Sequence, residues 1–526
     1  MSASSHPTRK LTIIAQDPSV RAGGRILRSL VELPAERIEP GPAGSRIFVA
    51  GPAALDGDAF ATAADAELLA DRRFHAQNLY AIVMRTLGCF EFALGRRMSW
   101  AFDSHRLRLD PRAFEEANAY YTAQDGALRF GWFQGRHGPI HSCLSHDVIA
   151  HETAHALLDG LRQRYSDPSS PDQAAFHEGF ADLVALLSVF SLPDAVPALM
   201  DRGRKKPITA ENLRRGALFG LAEEMGREIT RMRGGALRQP ALLEPSPHWL
   251  YTPEFQEPHR RGEVLAAAGL NAFLAIWMGR LGEQRDPGRV AEEGRRAASH
   301  LLTMCIRAID YAPPTDIEFP DYLSALLTAD AEMQPDDSRF GYREALRRSF
   351  ADYGIEPASR MDGGLWEPPD RPLSYERVHR EPLHRDPEEV FRFLWENAGA
   401  LSVCEGAETR VQSVRPCLRI GSDGFLLRET AAEYVQTLTL PASGLTRLGI
   451  RAPEWMPADM PVTLYGGGAL IFDEYGRLKY HARNRIDNPV RQTRRLEHLW
   501  NSGALAPDGA QPLDFQKLHR RRWANS

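Results

Sequence analysis

The sequence predicts an α+β protein of more than one domain. It reads as a β-rich start, two helices rich in His and acidic residues, a mostly helical stretch, and a C-terminal domain of mixed helix and strand. Three observations lead there. At 526 residues the chain is long for one domain, and its 43% hydrophobic content suffices for real cores. The apolar pattern changes along the chain: short runs between Gly- and Pro-rich turns give way to helical periodicity, then to strands. Between the first two patterns lies His151-Glu152-Thr153-Ala154-His155, followed by Glu178 and Asp182.

Residues 1–69 contain runs such as Ile47-Phe48-Val49-Ala50 and read as a β-rich segment able to extend a following sheet. Residues 70–355 form the principal domain. It opens with an amphipathic helix from Phe74 to Arg97 and later carries a long apolar helix from Val264 to Met278. Pro357 to Pro372, within a linker of residues 356–372, is rich in Pro and Gly. Residues 373–526 begin with a helix, Glu388 to Trp395, and continue as strands, one starting at the glycine run Gly466 to Gly468. Three roles stay open for this domain: recognising substrate, blocking a cleft or binding a partner. The basic run His519-Arg520-Arg521-Arg522 reads as a solvated tail.

Residues four apart share a helix face, so His151 and His155 can present ring nitrogens to one Zn2+ ion per chain. Glu178, from a second helix, supplies a third protein ligand and leaves the fourth position open, as in a catalytic centre. Glu152 is placed to take a proton from attacking water and pass it to a leaving nitrogen. Ser145 is expected to cap the first helix and Ser170, before Pro171, the second. Asp182, four residues after Glu178, is expected to orient a ligand histidine.

These residues resemble the gluzincin metallopeptidases, in particular the thermolysin-like family, in which His-Glu-x-x-His is followed by a Glu-x-x-x-Asp helix. The resemblance runs from Asp71 to Ile355 and implies a β-rich half, zinc helices across a cleft floor and a helical half. Asn118-Ala119-Tyr120-Tyr121 resembles the edge strand that holds substrate backbone, making Asn118 and Ala119 substrate-binding candidates. Arg238 resembles the arginine contacting a substrate carbonyl. His259, in Pro258-His259-Arg260-Arg261-Gly262, resembles the histidine that stabilises the tetrahedral intermediate, with Glu254 or Glu257 as the acid that keeps it charged. Tyr165, one position out of register, is the candidate for an assisting phenol. The position before the ligand glutamate is His177, where the family has asparagine. Asp147 sits where a calcium ligand would, but its acidic partner is missing, so calcium is not expected.

The resemblance implies a zinc metalloendopeptidase acting on peptide or protein substrates. Two alternatives remain: a binding or scaffolding protein that keeps zinc for structure, and a gluzincin aminopeptidase, against which the edge strand lacks an acid for the substrate amine. The net charge of −5 asks for neither nucleic acid nor a membrane surface. Five scattered cysteines fit a reducing compartment, and Leu11 to Ala15 is too short for a signal core, so the expected location is cytoplasmic. An unguarded protease there would be hazardous, so narrow specificity or a blocked cleft is expected. Oligomeric state is left open.

Overall fold

The computed structural model describes residues 8–36, 38, 43–52, 57–202, 209–214, 240–367, 371–421, 424–505 and 511–524. The N-terminal segment pairs β1 (Thr8–Ile14) with β2 (Arg28–Pro34), antiparallel, from Thr8 opposite Pro34 to Ile14 opposite Arg28. β3 (Ile47–Val49) joins another sheet, lying parallel to β4 (Leu107–Glu115). The segment does extend the larger sheet, through three residues only.

That sheet has the order β3-β4-β6-β5, where β5 is Ala119–Thr122 and β6 is Ala127–Gly135. β7 (Gly138–His141) continues along the same side of β6 as β5. β5 is therefore an edge strand. Helix α1 (Arg72–Leu94) begins at Asp71, whose side chain accepts from the Arg73 amide, and ends at Gly95 with φ 66°. From α1, the buried Asn78 amide accepts from Ile14 N–H at 2.9 Å and donates to the Cys143 carbonyl at 3.0 Å. One side chain thereby ties the N-terminal strand to the entry of the next helix. Burial pushes the Cys143 thiol up to about 12, a packed thiol rather than a reactive one.

The helical part comprises α2 (His146–Leu161), α3 (Pro171–Phe190), α4 (Pro258–Leu281), α5 (Pro287–Arg307), α6 (Phe319–Met333) and α7 (Tyr342–Ala351). α4 starts at Pro258, ahead of the apolar run read from the sequence. By length and composition it is apolar enough to cross a membrane, yet 72% of its most apolar window is buried against neighbours such as α3, α5 and α7. Ser145 and Ser170 occupy the two N-cap positions, but neither makes the side-chain cap bond expected of it. The Ser145 hydroxyl instead bonds Asp17 and Asp147, each at 2.9 Å.

The C-terminal domain is a four-stranded antiparallel meander, β8 (Glu408–Ile420), β9 (Leu426–Pro441), β10 (Pro461–Asp473) and β11 (Leu478–Asn484). Alternation along the strands divides its faces. Ala431, Ala469, Ile471 and Ala482 join the core of the principal domain. Ala432, Leu470 and Phe472 face a second core with α8 (Pro387–Glu396). The expected linker is packed as well: Ala358 N–H donates to the Pro320 carbonyl at 3.1 Å, and Trp366 N–H to the Thr328 hydroxyl at 2.9 Å. After α9 (Pro489–Asn501) the chain leaves this domain, and its last helix, α10 (Phe515–Ala524), lies on β5 of the principal domain.

Candidate metal centre

α2 and α3 pack side by side and bring the three expected ligands together. The Nε2 atoms of His151 and His155 lie 3.0 Å apart. Glu178 reaches them from α3, with oxygens 3.5 Å from His151 Nε2 and 3.6 Å from His155 Nε2. A tetrahedral ion with bonds of about 2.0–2.1 Å holds its ligand atoms about 3.3–3.4 Å apart, so this spacing suits such an ion. Two imidazoles and a carboxylate are also a donor set suited to zinc. Asp182 Oδ1 lies 2.9 Å from His151 Nδ1. That contact holds the ring proton on Nδ1 and aims the Nε2 lone pair at the cluster, as anticipated.

Close helix packing sets the opposite wall. A Cβ on Gly179 of α3 would stand 2.6 Å from the Gly262 carbonyl of α4, and one on Gly262 would stand 2.8 Å from the Ala175 carbonyl. Glycine at both positions lets the backbones approach until His259, in the first turn of α4, places Nε2 3.3 Å from Glu178. Its Nδ1 lies 2.8 Å from Glu257, which settles the choice left open between two acids; Glu254 pairs with Arg260 instead. Burial pushes Glu257 up, but its hydrogen bond and charge interaction with His259 outweigh that and hold the carboxyl below its ordinary range.

Glu152 is buried and accepts the Tyr121 N–H of β5 at 3.1 Å. Burial raises its pKa, the direction that suits a group shuttling a proton. Glu178 behaves oppositely. Burial pushes it up, yet His259, His151, His519 and His155 around it hold it well below the usual carboxylate range. Asn118 is buried beside β5, and among the described residues neither atom of its carboxamide has a hydrogen-bond partner. Ala119 lies on the edge strand as expected, but its carbonyl already accepts a hydrogen bond.

The other expectations need correction or fall elsewhere. Tyr165 donates its phenol to the Pro313 carbonyl at 2.6 Å and packs edge-on against Phe176, fully buried, so its hydroxyl is committed to the loop after α5. Arg238 lies outside the described residues. His177 lies inside the fold. Its ring is fully buried, 5.7 Å from that of His155, and burial lowers its pKa to about 4. Asp147 turns its carboxylate to Ser145 and the Val148 amide.

The main correction concerns the C-terminus. His519 is no solvated tail residue: it is 6% exposed and sits in the cluster, its Nε2 3.5 Å from Glu178. Ligand atoms of His151, His155, Glu178 and His519 all lie within 4.8 Å of one another. The same ring donates from Nδ1 to the Ala119 carbonyl at 2.8 Å, and that atom lies 3.4 Å from Glu152. Phe515, one helical turn earlier, stacks on His155 with ring centroids 4.3 Å apart. A signal for this existed in the sequence. Phe515, Leu518 and His519 share one helical face, while Lys517 and Arg520 fall on the exposed side.

A scan of the chain against protein-family models finds no match, and a search of curated proteins finds none.

Proposed function

We propose that this protein is a zinc-dependent metalloendopeptidase. The observation that carries the reading is the convergence of His151, His155 and Glu178 with Glu152 on one side and His259 on the other. Zinc bound by His151, His155 and Glu178 would lower the pKa of water and polarise the scissile carbonyl. Glu152 takes the proton from the attacking water and delivers it to the leaving amine, its raised pKa matching both halves of the task. His259, held by Glu257, donates from Nε2 toward the oxygen that gains negative charge. The β5 edge and the Asn118 carboxamide supply hydrogen bonds to an extended substrate backbone, which orients it without selecting side chains. The five cysteines are free, which supports a reducing, cytoplasmic setting.

A structural zinc is the second reading, and one observation favours it: with His519 the cluster holds four protein ligands, the closed set of a structural site. Metal content and cleavage of a denatured protein, compared between His519→Ala and His519→Ala with Glu152→Gln, separate the two. One zinc in each, with cleavage only where Glu152 is present, supports the peptidase. Zinc in both without cleavage supports the structural reading.

A further inference from the structure

We infer that α10 is an autoinhibitory plug, with His519 as a fourth protein ligand that closes the position a substrate carbonyl would need. The inference rests on the zinc-peptidase reading above. His519 touches three groups that catalysis requires: it lies 3.5 Å from Glu178, 3.4 Å from Glu152, and holds the Ala119 carbonyl at 2.8 Å.

The tautomer carries the ligand assignment. A carbonyl oxygen only accepts, so the bond to Ala119 places the ring proton on Nδ1. Nε2, the nitrogen facing Glu178, is then the one whose lone pair can bind metal. Asp182 arranges His151 in the same way. A backbone carbonyl or carboxylate behind a ring nitrogen is the usual support of a ligand histidine.

The plug enters as a helix, and that keeps it from being cut. Its backbone is turned into helical hydrogen bonds, so no extended peptide lies along β5. Phe515 covers His155 and stands 6.0 Å, centroid to centroid, from Tyr121 of the edge strand. The Leu513 N–H donates to the Ser166 carbonyl at 2.8 Å, and Arg520 pairs with Glu116 at 2.9 Å, so both flanks of the buried face are anchored. A protein substrate must displace the helix before it can reach Glu152.

The test is zinc K-edge X-ray absorption on the zinc-loaded full-length chain and on His519→Ala, together with cleavage of denatured casein. Three coordinated imidazoles in the parent and two in the variant are expected. Cleavage should rise by about a hundredfold, the gain from freeing a competent state otherwise populated to about 1%. Phe515→Ala leaves the ligand in place and loosens the helix, so it should give a smaller rise in cleavage with three coordinated imidazoles retained. Two imidazoles in the parent, with equal cleavage by all three chains, would overturn the plug and leave the peptidase standing. Three imidazoles falling to two without any Glu152-dependent cleavage would overturn latency and the peptidase reading together. A full-length chain that binds no zinc would overturn both proposals at the metal.

Discussion

Two of the buried polar clusters among the described residues are built from different groups. At the seam with the C-terminal sheet, Arg419 pairs with both Asp310 and Glu429, and all three side chains are almost completely buried. Arg96 adds a contact to Asp310 at 2.5 Å, while Tyr311 and Lys479 bond Glu429 at 2.7 and 2.9 Å. Every charge there meets its opposite. Around Glu178, by contrast, ring nitrogens and carboxylate oxygens converge from four elements. A self-neutralising cluster holds two domains together. A cluster of imidazoles and carboxylates is instead a donor set that fits a metal ion.

The sharpest way to break the comparison is to unbalance the seam. Arg419→Met leaves Asp310 and Glu429 short of a partner and should destabilise the chain by about 3–5 kcal/mol in urea unfolding at pH 7. The pH dependence has a definite sign. Burial pushes Asp310 up, but Arg96 and Arg419 hold it far below its ordinary value. Its contribution is therefore complete above the unfolded carboxyl pKa of about 3.9 and fades as pH falls further. The gap between parent and variant should narrow in metal-free samples from pH 6 to pH 3; a constant gap would mean that Arg419 acts through packing alone.

Removing metal probes the other cluster. Chelation should lower stability by about 2.7 kcal/mol where free zinc had stood at a hundredfold its Kd, and the same chelator should leave His155→Ala unchanged. A smaller effect is expected one contact away. Asp182→Asn weakens the support of His151 and should reduce zinc affinity by about 10–100-fold, or about 1.4–2.7 kcal/mol, measured by competition with a chromophoric chelator. The smallest concerns Arg520, whose guanidinium is solvated: Arg520→Ala should leave the melting temperature unchanged, since an exposed pair contributes little.

Much of the candidate metal centre was legible because helix geometry is local. A four-residue step puts His151 and His155 on one face whatever the rest of the chain does, and the same step links Glu178 to Asp182. The edge strand and the histidine heading a long apolar helix were read instead from a resemblance to a known family, not from periodicity. Tyr165 was misread because a phenol beside a histidine-bearing helix has two destinations, and the Pro313 carbonyl, brought near by the fold, accepts its hydrogen bond. The caps at Ser145 and Ser170 were legible as positions but not as bonds; the Ser145 hydroxyl went to the distant Asp17 and to Asp147 in the first turn.

By itself the sequence determined which side chains share a helix face, hence the pairing of His151 with His155 and of Glu178 with Asp182, and the helix that carries each pair. Only the tertiary structure decided which acid holds His259, that two helices touch at Gly179 and Gly262, and that His519 returns to Ala119 across a separation of 400 residues. The physical reason is that periodicity fixes neighbours within an element, whereas contact between distant elements depends on how their faces pack. A basic helix end with one buried face reads as solvated until the cleft that receives it is known.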